Sequence, residues 1–283
     1  MATLFNPNVM LDNIGISIAN LQAACSRSPG WGSPRQAGEG LKAQAKRLDD
    51  QLLTWARCMP IHWRPNTLIS GRDFDPTIPS YLGLCDNYPS CQIALVWHLW
   101  RLQRLTLLKL MLVSSNTSSP YDCSSQTLGS CTLNDSEYTS SHREVAQDLV
   151  DSVCRSTPFH LGNRSLPSSM TDFDNLDIVI LPGYSSPDAL QSDSDYNQYR
   201  YLTTQSDEHR HHVIAQGAWH MMNSLSRLLE LLSEEPTIAN LLRPGQHQWI
   251  RSQFLRVRTS LHIPSAGYDD VNHNNISEKL LAN

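Results

Sequence analysis

The stretch between Ser90 and Ser114 constrains this chain most. Its polar residues His98, Arg101, Gln103, Arg104, Thr106 and Lys109 are scattered through a run of leucines rather than gathered on one side. Wound as an α-helix, they fall all around the cylinder and leave no wide polar face, which a surface helix would need. Such a helix has to be packed on several sides, so the rest of the chain must supply elements to surround it. The run from Ile93 to Val113 is interrupted by Arg101, Arg104 and Lys109 and is too charged to span a membrane, so no membrane partner is expected.

The surrounding elements read as helices too. Ile14, Ile18 and Leu21 recur at helical spacing within residues 9–25, and the Gly- and Pro-rich stretch from Pro29 to Gly40 reads as a loop. A second helix is predicted over 41–58, with Leu41, Ala45, Leu48, Leu52 and Trp55 on one stripe, and Pro60 stops it. Prolines at 60, 65, 76, 79 and 89 argue against helix or central strand over 60–89, which reads as an irregular surface connector. From 114 to 141, 14 of 28 residues are Ser or Thr, too polar to bury much surface, and a flexible loop is expected there. Ser141 with Glu144 matches a capping box for a fourth helix carrying Val145, Leu149 and Val153, ended by Pro158 and Gly162. Six aspartates and no Lys or Arg lie between Arg164 and Arg200, so 165–199 reads either as a disordered acidic-hydrophobic segment or as an acidic loop leading into one buried turn. The fifth helix, 207–233, repeats Ile214, Ala218, Met221, Leu225, Leu228 and Leu232 along one face, and a last pair covers 236–242 and 246–262. The expectation is an all-α, irregular multi-helix domain of six or seven helices with long loops and no strand. Its parts are an N-terminal helix and loop at 1–40, a helical regulatory body at 41–266 and a polar tail at 267–283.

No chemistry-bearing motif stands out. The chain has no G-x-G-x-x-G, no P-loop and no H-E-x-x-H, and Asp49-Asp50 begins no metal-binding aspartate pattern. His209, His211, His212 and His220 cluster on the fifth helix, but the position four residues after His212 is Gln216, so a solvated polar face is the simpler reading than a metal site. Seven cysteines without a C-x-x-C read as free thiols. A net charge of −5 argues against direct nucleic-acid binding, which wants clustered positive charge. The N-terminus has no Lys or Arg ahead of its apolar residues, so no secretory signal is expected. No enzymatic activity, cofactor or metal is therefore expected. Trp97 and Trp100 with Arg101 and Arg104 read as core packing, or as part of a pocket completed by Trp219 and Trp249.

Four short strings occur in order. They are Trp55, Pro60, Trp63 and Pro65; Trp97, Trp100, Arg101 and Arg104; Ser156 through Gly162 (STPFHLG); and Trp249-Ile250 with Phe254 and Val257, running on to Ile263. Over residues 40 to 266 this set resembles the C-terminal regulatory region of fungal zinc-cluster transcription factors. The six-cysteine DNA-binding cluster of those factors is absent from this sequence. Gln216-Gly217-Ala218-Trp219 also departs from their penultimate helix, which carries a Gly-Gly and a Pro-Leu stretch. The resemblance implies an all-helical, non-enzymatic regulator. It would act in the nucleus through a DNA-binding factor or coregulator and belong with fungal biosynthetic gene clusters. The competing expectations are a helical small-molecule-binding or enzyme-like domain with a Trp-lined pocket, and a fragment of a longer factor.

Overall fold

The computed structural model describes residues 6–27, 35–116, 132–183, 207–234 and 236–264. Six helices of fifteen residues or more make up most of it: α1 (Pro7–Arg27), α2 (Arg35–Cys58), α3 (Cys91–Asn116), α4 (Thr132–Leu161), α5 (207–234) and α6 (Gln246–Ser260). The architecture is mostly helical with long connections. Among the described residues no helix is long and apolar enough to cross a membrane.

Helix α3 is the axis of the molecule. Of residues 91–112 only Gln92 and Leu99 are exposed, and α1, α2, α4 and α5 all pack against it. The amphipathic stripes explain the arrangement around it. Leu11, Ile14, Ile18, Leu21 and Cys25 of α1 are buried, as are Ala45, Leu48, Leu52 and Trp55 of α2. The whole α5 stripe from Ile214 to Leu232 is buried as well, against α3, α4 and α6. Removing apolar faces of this kind from water is the main favourable term in folding.

The described residues differ from the sequence expectations in several places. Helix α2 starts at Arg35, so Gly38 and Gly40 are helical rather than part of a loop. The Pro-rich connector holds a small antiparallel sheet, β1 (Asn66–Ile69) with β2 (Leu84–Asn87), in the register Asn66↔Asn87 to Ile69↔Leu84. The prolines flank these strands instead of interrupting them, so they remove no ladder bond. Nor does the connector merely wrap the surface, since Ile78, Tyr81, Cys85 and Tyr88 join the core. Helix α4 begins at Thr132, so Ser141 and Glu144 lie inside it and form no N-terminal box. The expected Ser/Thr-rich loop is thus helical over 132–141, and its stretch 117–131 falls outside the described residues.

Pro158 does not end α4 either. The helix runs through it to Gly162, whose φ of +56° and whose N–H to the Pro158 carbonyl (2.9 Å) close it. A Cβ on Gly162 would lie 2.2 Å from the Val179 carbonyl oxygen, so glycine is needed there for space as well as for backbone angle. Where it is described, the acidic stretch is a loop whose turn at 174–177 is exposed rather than buried. Residues 164–183 form an irregular strap that ends on buried Leu181, while 184–206 lie outside the described residues.

Candidate functional site

Where α1 and α2 meet α3, the tryptophans act as joints. Trp97 stands edge-on to both Trp55 and Trp100, with ring centroids 5.4 Å apart in each pair. The three indole N–H groups donate to backbone carbonyls of neighbouring elements: Trp55 to Pro7 (2.8 Å), Trp97 to Trp63 (2.7 Å) and Trp100 to Leu52 (2.8 Å). Arg104 lies over the Trp100 ring and forms a two-pronged bond with Asp49, at 2.7 and 3.2 Å. Asp49, the first residue of the Asp49-Asp50 pair, is thus half of a largely buried ion pair.

Arg101 enters a second buried set that the sequence reading missed. Its guanidinium donates to the Tyr88 hydroxyl (2.8 Å) and lies 3.6 Å from Asp86, which also accepts from Thr67, Ser152 and Arg155. Tyr88 in turn shares a hydrogen bond with Ser156 at 2.7 Å. The network ties the hairpin to α3 and α4. No local pattern announces it, because its bonded partners lie up to 69 residues apart.

Trp219 and Trp249 do not join these residues. Trp219 is 59% exposed on α5, and Trp249 packs on Tyr81, with centroids 5.2 Å apart. The structure therefore brings together Trp97, Trp100, Arg101 and Arg104 around α3 and leaves Trp219 and Trp249 elsewhere.

A layer of histidines forms between α3, α4 and α5. The ring of His98 lies 5.3 Å from that of His160, which lies 5.8 Å from that of His220. His220 stacks on His212, with their Nε2 atoms 3.0 Å apart. His209 turns inward and bonds the Leu181 carbonyl at 3.0 Å, while His211 faces outward against Phe173. The four histidines read as one polar face are thus divided among three environments, and His98 and His160 join them from other helices. Among the described residues no group of three or more His, Cys, Asp or Glu side chains is arranged to hold a metal ion.

The layer depends on a π-helical turn in α5, Val213–Gly217. One extra residue in the turn brings His212 and His220 back to one face; in a regular α-helix eight residues overshoot two turns by about 80°. Widening the turn frees backbone carbonyls, and Arg164 donates to two of them, Val213 (3.3 Å) and Ile214 (3.0 Å). Gly217 permits the close crossing of α5 with α4, since a Cβ there would lie 2.0 Å from the His160 carbonyl oxygen.

Burial holds these imidazoles neutral. Desolvation, with the charge of Arg101 and the neighbouring His220, pushes His98 well below the usual histidine range. His160 is pushed down by desolvation and the four surrounding histidines. His209 falls to about 4 through burial, and His212 and His220 shift the same way. Neither ring nitrogen of His98 or of His160 has a hydrogen-bond partner. Such atoms are uncommon in protein interiors and call for a specific explanation.

His98 also borders a cavity of about 370 Å³ between α1, α3 and α5. The buried part of its lining includes Leu11, Leu102, His98 and Ser224, and the exposed part Asn8, Asp12, Leu99 and Asn223. None of the four candidate tryptophans lines it. The chain matches no family model, no curated protein and no solved structure.

Proposed function

We propose that this chain is a non-enzymatic regulatory domain that acts through protein contacts, with a DNA-binding factor or coregulator as its partner. On this reading it works in the nucleus without touching DNA itself, in the manner of the fungal zinc-cluster regulatory region its motifs resemble, and its setting is secondary metabolism. The observation that carries the proposal is a set of large apolar side chains left in water. Leu166, Met170 and Leu176 on the strap are 75%, 82% and 92% exposed, and Trp219 on α5 is 59% exposed. The strap that displays them is held in place, because Arg210 of α5 donates to the carbonyls of Ile178 (2.6 Å) and Asn175 (2.7 Å). Apolar groups exposed on a fixed backbone suit a protein partner, whose binding would remove them from water. Two of the most polar candidates for chemistry, Arg101 and Arg104, are spent on internal bonds.

The test is a fusion of the chain to a heterologous DNA-binding domain, scored on a reporter. Reporter output should change relative to the DNA-binding domain alone. The change should disappear when Leu166, Met170, Leu176 and Trp219 are all replaced by serine, with the helical circular dichroism kept. An expressed, nuclear fusion that leaves the reporter at baseline would sink the proposal.

A further inference from the structure

We propose that the strap and the outer side of α5 form one docking face for a cationic amphipathic helix of a protein partner. That helix lays apolar side chains against Leu166, Met170, Leu176 and Trp219 and sets basic ones beside Asp174 and Asp177. The inference rests on the protein-contact reading above and adds the chemistry of the partner.

The π turn joins the two parts of the face. Its inserted residue brings side chains eight apart in α5 back to one side, so Trp219 stands on the side of His211, about two turns further along. Phe173 of the strap packs on His211, with ring centroids 5.5 Å apart. Between His211 and Trp219, exposed Ala215 puts no bulky group in the path.

Charge selects the partner. Asp174 and Asp177 are exposed on the strap, and Asp207 and Glu208 are exposed in the first turn of α5, next to the Arg210 that ties strap and helix together. Asp172 is already paired with Arg164 at 3.7 Å, so Asp174 and Asp177 carry the outward charge of the strap. The basic residues nearby are turned onto backbone carbonyls: Arg164 to Val213 and Ile214, Arg210 to Ile178 and Asn175, Arg256 to Gly162 and Arg164. Residues 165–183 contain no Lys or Arg, and Arg210 is the only one within 207–223. The face is therefore negative outward. It attracts a basic protein segment and repels the phosphates of nucleic acid and membrane lipid.

The backbone selects the shape. Residues 164–183 contain no strand, so an added strand would have no ladder to extend. A helix satisfies its own backbone groups and needs only a face to lie on.

The test is fluorescence anisotropy of the full chain against a labelled amphipathic helix of leucine and lysine, about 14 residues or four turns long, and against the same helix with glutamate for lysine. The Leu/Lys helix should bind at least roughly tenfold tighter than the Leu/Glu helix at low salt, and the gap should shrink as salt screens the charges. Asp174→Asn with Asp177→Asn should weaken the Leu/Lys helix roughly two- to tenfold. Asp50→Asn with Glu144→Gln removes the same charge from the exposed sides of α2 and α4 and should leave binding within about twofold. Serine at Leu166, Met170, Leu176 and Trp219 together should weaken it more than roughly tenfold, with the helical circular dichroism kept. Equal binding of the two helices, or an equal loss in the charge-matched control, would overturn the assignment. So would a dimer in sedimentation that the serine variant dissociates, because the face would then belong to a second copy. A reporter that responds to the fusion while the Leu/Lys helix fails to bind sinks this inference and leaves the regulatory reading standing. Binding at this face with the reporter at baseline does the reverse.

Discussion

The joint of α1, α2 and α3 and the layer between α3, α4 and α5 both bury aromatic rings that carry nitrogen, yet they treat those nitrogens in opposite ways. In the joint, Trp55, Trp97 and Trp100 each donate to a backbone carbonyl, and Arg104 is matched by Asp49. In the layer, His98 and His160 are wholly buried with both ring nitrogens unpaired. A fully bonded cluster fixes how elements meet. An under-bonded one spends stability without fixing anything, which is the expected pattern where a group is kept available for another purpose.

The contrast is sharpest where charge is involved. Removing Asp86 should have the largest effect, because Arg101 would remain buried without its counter-charge. Asp86→Ala is expected to lower unfolding free energy by about 3–5 kcal/mol in a urea titration. A loss under about 1 kcal/mol would mean that Arg101 finds another partner or reaches water.

Acid should break the layer before the joint. The folded-state values of His98, His160 and His209 lie below the unfolded value near 6.5, so the unfolded chain takes up protons first as pH falls. Their contribution is therefore fully present above about pH 6.5 and is lost as pH drops toward the folded values, the window for His209 running down to about 4. Each such histidine adds a slope of about 1.4 kcal/mol per pH unit. Urea midpoints at pH 7.5 and 5.5 should differ clearly in the native chain and less in His160→Leu. Equal differences in the two would sink the claim that the layer is neutral.

The smallest effects separate two neighbours on α3. Trp97→Phe loses a bonded N–H and leaves the Trp63 carbonyl without its donor, at a cost of about 1–3 kcal/mol. His98→Leu removes two unpaired nitrogens and is expected to change stability at pH 7.5 by less than about 1 kcal/mol, in either direction. If His98→Leu costs as much as Trp97→Phe, its nitrogens are partnered after all and the contrast fails.

The apolar stripes of α1, α2 and α5 and the all-round packing of α3 were legible because helical spacing is a local signal, and burial followed it residue by residue. Local signals also misled. Ser141 and Glu144 have the spacing of a capping box, but α4 already runs through them from Thr132. Pro158 reads as a terminator, yet the helix continues to the left-handed Gly162. The two four-residue strands between the prolines carry too short a pattern to stand out, and pairing across fifteen or more residues is what makes them strands. Trp219 and Trp97 are both tryptophans on apolar helices, but Trp219 projects beside the α5 stripe rather than within it, and is exposed.

What the order of residues decided alone was the helical class, the buried stripes and the central place of α3, since each follows from spacing within a few turns. The π turn of α5, the meeting of His98, His160 and His220, the Asp86–Arg101 network and the cavity beside His98 were decided only in three dimensions. Each joins residues from separate elements, and the distance between two side chains on different helices depends on how the helices cross rather than on any pattern within either.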